Sequence, residues 1–184
     1  MQRQLAEIID ELQHSQSRLE LLADEVSDER WLLRTHSDRW SAGECIAHLN
    51  LTSAAYIPRL RKAIAQARQL EPMSAARYRR DPAGWFLSVM IGPLPAVRKM
   101  KIGRVRTPAA FVPSGDLPKQ LVIAEFKRFQ DELVGVVRES DGMALDKVRI
   151  KSPFGEKISY SCYSAFVILP RHQERHLDQA MAAK

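Results

Sequence analysis

The run Trp40-Ser41-Ala42-Gly43-Glu44-Cys45-Ile46-Ala47-His48-Leu49 decides how the chain is to be read. Ser41 followed three residues later by Glu44 is a capping box, in which each side chain satisfies the other residue's free backbone N–H at a helix start. Trp40, just outside the cap, is placed to staple onto Cys45. A helix therefore begins at Ser41, and Ile46, Leu49, Ile57, Leu60 and Ile64 continue its apolar face. Pro58 falls within this run and predicts a kink or break. His48 borders the stripe of Ile46 and Leu49, which puts an imidazole on an inward face.

A second pair of imidazoles answers it near the other end of the chain. His172 and His176 are four residues apart, so on a helix both rings leave one face, about 6 Å apart along the axis. That face also carries Ala165, Ile168 and Leu169. Three buried imidazoles are costly unless their nitrogens find partners, and a divalent metal ion supplies one. The alternative is ordinary: an HxxxH pair of exposed or simply hydrogen-bonded imidazoles, and a lone histidine that is a satisfied core residue. His14 and His36 have no comparable context and read as surface residues.

Working outward, the pattern is helical almost throughout. Leu5, Ile8, Ile9, Leu12, Leu19, Leu22 and Val26 repeat at helical spacing over residues 4–26. A third helix carries Leu121, Val122, Phe126, Phe129, Leu133, Val136 and Val137, with Asp116 as its expected cap, Pro118 in its first turn and an end near residues 140–142. Residues 145–157 read as irregular or extended, with a turn at Ser152-Pro153-Phe154-Gly155. The fourth helix spans about 159–181, with Pro170 predicting a local kink. Between the second and third helices, residues 70–118 hold seven of the ten prolines. That density excludes long regular elements, although a short helical turn over 85–91 fits. This stretch reads as a cover folded over one bundle end, with Trp85, Phe86 and Trp40 as its apolar contacts. Strand signals are scarce. The expected fold class is all-α: a four-helix bundle over residues 1–184, one domain with a long proline-rich connection.

Composition narrows the function. The 184 residues are 45% hydrophobic and 27% charged, ordinary for a globular domain. No stretch approaches the roughly 20 apolar residues needed to cross a bilayer, and charges interrupt the first 20 residues, so a cytoplasmic protein is expected. Cys45 and Cys162 make no CxxC pair and read as reduced, buried thiols. The net charge is +6, spread over three groups: Arg59, Arg61 and Lys62; Arg77, Arg79 and Arg80; and Arg98, Lys99, Lys101, Arg104 and Arg106. No nucleic-acid-binding motif accompanies them, so neither nucleic acid nor membrane is an expected partner.

The Trp40–Leu49 run resembles the second-helix signature of the DinB-like superfamily: an aromatic residue, a capping Ser or Thr, then a His-Leu step. Phe154-Gly155 followed by Pro170-Arg171-His172-Gln173-Glu174-Arg175-His176-Leu177-Asp178-Gln179 is similar to that family's closing pattern. The residues between 70 and 118 do not match a compact member and resemble an insertion. The resemblance implies a four-helix bundle, often a homodimer, in which His48, His172 and His176 bind zinc, nickel or a similar divalent ion. It also implies a small-molecule substrate. Some relatives transfer or isomerise using a low-molecular-weight thiol such as bacillithiol, mycothiol or glutathione, and others are described as hydrolases.

Three chemistries follow. An open three-histidine metal site can keep a bound thiolate nucleophilic or lower the pKa of bound water. A hydrolase also needs a base, and none is evident. Glu44 reads as a cap before it reads as a partner of His48, Gln179 as a surface amide, and Cys45 as a core thiol. The third possibility is a helical binding module with structural histidines. If the proline-rich stretch is a loose cover, limited proteolysis cuts first between residues 70 and 118. First cuts within residues 159–181 would contradict this organisation.

Overall fold

Leu5, Ile8, Ile9, Leu12, Leu19 and Leu22 wind into the buried face of α1 (Arg3–Glu25), in a computed structural model that describes residues 1–72, 77–92 and 107–184. The chain is mostly helical. After α1 come a single-turn α2 (Asp28–Leu32), α3 (Ala42–Ala67), α4 (Pro82–Ile91), a 3-10 turn at Ala109–Phe111, α5 (Lys119–Glu139) and α6 (Cys162–Ala183). Both α1 and α3 pack against both α5 and α6, so the four long helices share one interior. Its apolar side chains form two clusters. The larger runs from Leu5 and Leu60 to Leu133 and Phe166. The smaller gathers Trp31, Cys45, Ile46, Phe126 and Leu177. Fully burying a leucine such as Leu5 or Leu133 contributes about 2 kcal/mol, which is why the apolar stripes override the weak propensities along these helices.

The capping box at Ser41 forms in full. Ser41 Oγ accepts from the Glu44 N–H at 3.2 Å and Glu44 Oε2 accepts from the Ser41 N–H at 2.9 Å. Trp40 packs against the cluster that holds Cys45. Pro58 does not break α3, which continues to Ala67. Its ring lies on an exposed position, and the neighbouring Arg59 guanidinium donates to the Ala55 carbonyl at 2.6 Å. Pro170 is likewise carried inside an unbroken α6.

Three expectations need correction. Asp116 does not cap the third long helix: α5 begins at Lys119, its N-cap is Pro118 with no side-chain bond, and the Asp116 carboxylate accepts from the Ser114 hydroxyl instead. The segment after α5, read as irregular or extended, is extended, and its turn falls at residues 152–155 as expected. It forms an antiparallel hairpin, β1 (Arg149–Ser152) and β2 (Gly155–Ser161), pairing Ile150 with Tyr160. The fold remains mostly helical, as the all-α expectation has it, with this hairpin beside the helices; α6 starts three residues later than expected, capped by Ser161, whose Oγ accepts from the Ser164 N–H at 3.1 Å. Last, Trp85 and Phe86 are not the apolar contacts of the proline-rich stretch. Both are exposed, and it is Leu87 and Ile91 that pack on the core. Pro93, Pro95 and the basic group from Arg98 to Arg106 lie outside the described residues.

Within the stretch from 70 to 118, α4 is pinned to α6 by a single carboxylate. Asp81 caps α4 and also accepts from the Ser161 N–H at 2.9 Å and the Ser164 hydroxyl at 2.7 Å, so it serves two helix starts at once. Those bonds, set against its burial, hold its carboxyl below the usual range. Gly84 lets the helices meet: a Cβ there would lie 2.2 Å from Ser164 Cβ. Gly84→Ala must push α4 off α6, and a destabilisation of about 1–3 kcal/mol is expected, read as a lowered melting midpoint with unchanged helix content. An unchanged midpoint would show that α4 does not dock here in solution.

Candidate metal centre

The sequence places His48 one turn and a half into α3, after a cap that fixes where the helix begins. It places His172 and His176 on one face of α6. Because α3 packs directly on α6, the three rings meet. Ring centroids are 4.5 Å apart for His48 and His176, 4.6 Å for His172 and His176, and 5.2 Å for His48 and His172. All three are buried, and one nitrogen from each lies within 4.8 Å of the others. Nitrogens bound about 2.1 Å from one tetrahedral ion lie about 3.4 Å from each other, so a contraction of up to about 1.4 Å brings these three onto a shared cation. Among the described residues this is the group of His, Cys, Asp and Glu side chains with the geometry to hold a metal.

The hydrogen bonds orient the donor set. His48 Nδ1 lies 2.8 Å from the Phe111 carbonyl oxygen. A carbonyl only accepts, so Nδ1 carries the proton and Nε2 keeps its lone pair for the interior. His176 Nδ1 is buried without a hydrogen-bond partner. Leaving such an atom unmatched costs about 1–3 kcal/mol, a cost a bound cation removes. The surroundings are aromatic. Trp40 stacks near His48 and His176 at 4.9 and 6.0 Å. Phe154, at the hairpin turn, faces His172 at 5.7 Å and His48 at 6.3 Å, and rests on Phe111 at 4.5 Å.

Neither neighbour considered as a helper of His48 takes that part. Glu44 is committed to the capping box and to a bidentate pair with Arg34, and these contacts hold its carboxyl below the usual range against the opposing effect of burial. Cys45 sits in the apolar cluster beside α5, and burial pushes its thiol up to about 12. Cys45 and Cys162 are both free and buried, as expected. His14 and His36 are exposed, again as expected. Sequence reasoning missed Phe111, because a backbone carbonyl has no side-chain signature. It also missed Gln130 and Gln173. Their amides exchange bonds of 2.7 and 3.1 Å, and Gln130 Nε2 also donates to the Leu12 carbonyl at 2.7 Å. This buried clasp joins α1, α5 and α6 directly beside His172, and a glutamine on the core stripe of α5 was its signal.

Burial is the largest influence on all three imidazoles, and it disfavours their charged forms. His48 is lowered by burial, with the Phe111 carbonyl acting weakly the other way. His172 is held well below its ordinary value by burial and then by His176, His48 and Arg175. His176 is pushed down to about 3 by burial, then by His48 and Arg175; Gln179 offsets this only weakly and makes no hydrogen bond to Nδ1. The folded protein thus keeps neutral, ligand-ready rings at neutral pH. The unfolded chain protonates near pH 6.5, so as pH falls from there toward 3 it binds more protons than the fold does and stability is lost. The slope is at most about 1.4 kcal/mol per pH unit for each ring. Metal-free protein should therefore melt progressively lower between pH 6.5 and 5, and His176→Leu should flatten that dependence. Equal slopes for the two proteins would contradict this account of the rings.

The chain matches the family model of the DinB superfamily over residues 11–180, a span that contains all three histidines. No curated protein and no solved structure gives a significant match. The family match covers nearly the whole chain, and with the histidine cluster built on α3 and α6 it leads to one conclusion: the chain belongs to the DinB superfamily.

Proposed function

We propose that His48, His172 and His176 hold one divalent ion, zinc, nickel or a similar metal, in a four-helix bundle formed by α1, α3, α5 and α6, and that the protein is a metal-dependent transferase acting on a low-molecular-weight thiol. The observation that carries the metal is the convergence of three buried, neutral imidazoles, with the His48 tautomer fixed by the Phe111 carbonyl. A metal bound by three neutral nitrogens keeps a coordination position free and favours the thiolate form of a thiol placed there.

The chain's own residues do the rest. The Phe111 carbonyl fixes the His48 ring, and the helix of His172 and His176 fixes theirs. Trp40, Phe111 and Phe154 surround the histidines with apolar rings, which exclude water and suit an apolar electrophile. What tips the balance toward thiol transfer over hydrolysis is the absence of a free carboxylate: among the described residues no Asp or Glu joins the cluster, and Glu44 is held by Ser41 and Arg34. Hydrolysis needs a base for water, whereas a thiolate needs none. Arg77, Arg79 and Arg80 line a different cleft.

Elemental analysis of tag-free protein should find about one divalent ion per chain, falling below a tenth of that in His172→Ala or His176→Ala. Metal-loaded protein should then turn over an electrophile with bacillithiol, mycothiol or glutathione, and His48→Ala should lose that turnover. Unchanged metal in the variants would remove the centre. His48-dependent cleavage of an ester or amide, with no thiol transfer, would replace the transferase by a hydrolase. Metal without either reaction would leave a metal-binding module.

A further inference from the structure

The face of α6 that carries Tyr163, Val167 and Arg171 opens on a second cleft, of about 810 Å³, between α1, α4 and the strand of chain leading into α4. None of the three histidines lines it, so it is distinct from the metal centre. Its size lies within the range of small-molecule sites, about 300–1,000 Å³.

The wall is held rigidly. Tyr78 is 2% exposed and stacks on Tyr163, with ring centroids 4.9 Å apart. The Gln4 side chain clamps the Tyr78 backbone from both sides: its Oε1 accepts from the Tyr78 N–H at 2.7 Å, and its Nε2 donates to the Tyr78 carbonyl at 3.3 Å and to the Tyr163 hydroxyl at 2.8 Å. Three residues on, Asp81 fastens the same segment to α6. Between these anchors the sequence Arg77-Tyr78-Arg79-Arg80 buries its tyrosine and leaves its arginines on the cleft.

Those cations are short of partners. Arg77 and Arg79 make no ion pair among the described residues, and Arg80 reaches only the Ser88 hydroxyl, at 3.2 Å. Arg171 on the facing helix has its Nε buried with no acceptor. The carboxylates lining the cleft are Glu7, paired with Arg3 at 3.2 Å, and Glu11, whose carboxyl is raised by burial against the pull of Arg171. Trp85, 53% exposed at the start of α4, presents an uncovered indole to the same space. Guanidinium forks recognise phosphate in two-point fashion, and an open indole face stacks on a planar ring.

We infer that this cleft binds a small planar aromatic ring bearing a phosphate, of the nucleoside monophosphate class, with the phosphate at Arg77 and Arg79 and the ring against Trp85. The inference does not rest on the metal-centre reading. Titration calorimetry of the metal-loaded full chain with AMP, inorganic phosphate and adenosine tests it. AMP should bind in the micromolar to low millimolar range and at least ten-fold tighter than either fragment. Arg77→Gln combined with Arg79→Gln should weaken AMP at least ten-fold, and Trp85→Ala several-fold, with melting midpoint and metal content as in the parent protein. No AMP binding at millimolar concentration overturns the assignment, as does binding that both variants leave intact. Loss of AMP binding only in His172→Ala would place the ligand at the histidines instead. A single-stranded oligonucleotide binding far more tightly than AMP, with a steep salt dependence, would replace the small-molecule site by a nucleic-acid surface.

Discussion

Three neutral imidazoles packed into an apolar interior are the constraint on which the arrangement turns. Each ring brings two nitrogens that would otherwise be hydrated, and the walls around them, Trp40, Phe111 and Phe154, offer almost no acceptors. One nitrogen is satisfied by a backbone carbonyl 63 residues away in sequence, and another is left with nothing. Such a cluster is not selected for stability of the folded chain by itself, because apolar residues of similar volume would avoid the desolvation cost. It makes physical sense where a cation completes it, and the same burial that keeps the rings neutral also keeps them available as ligands.

Holding that cluster requires α3 and α6 at a fixed height relative to each other, and much of the remaining polar structure serves this end. The capping box sets where α3 begins and so where His48 falls on it. The Gln130–Gln173 clasp ties α6 to α5, with the Leu12 carbonyl bringing in α1. Asp81 fixes the first turn of α6. On the outer flank, Arg18 joins α1 to Glu174 and to Asp178, the latter at 2.9 Å. These partly exposed pairs contribute little energy individually. The buried amides are the more exacting, since losing one partner strands the other.

The parts legible from sequence were those written in side-chain chemistry at local spacing. Ser41 and Glu44 announce their helix in four residues, and Leu5 to Leu22 or Val122 to Val137 announce theirs by period. His172 and His176 reveal a shared face by the same rule. The misses have different causes. In β1 only Ile150 and Ser152 point inward, too short an alternation to count, and in β2 the apolar Ile158 is exposed while Tyr160 is buried. The turn itself was legible at Ser152-Pro153-Phe154-Gly155, but its central Pro153-Phe154 carries none of the glycine or asparagine that marks a two-residue hairpin, so nothing signalled that the flanking residues pair. Helix α2 is a single turn, below the length at which periodicity can be read, although its Trp31 is fully buried. Asp116 looked like a cap because of its position before Pro118, but a serine two residues earlier competes for the carboxylate.

α6 faces both the histidine cluster and the second cleft, and its register explains how. His172 and His176 point to α3, whereas Tyr163, Val167 and Arg171 recur at the same four-residue step but one residue out of phase, about 100° around the axis. Gln173 takes a third direction, toward α5. A helix committed on three sides cannot rotate to improve one contact without spoiling another. A rotation that tightened the histidines would move Tyr163 off Tyr78 and withdraw Ser164 from Asp81. The close approach at Gly84 leaves no slack to absorb such a movement. The segment that carries Arg77 to Arg80 is therefore mechanically coupled to the helix of His172 and His176 through Tyr163 and Asp81, although the cleft and the histidine cluster share no residue.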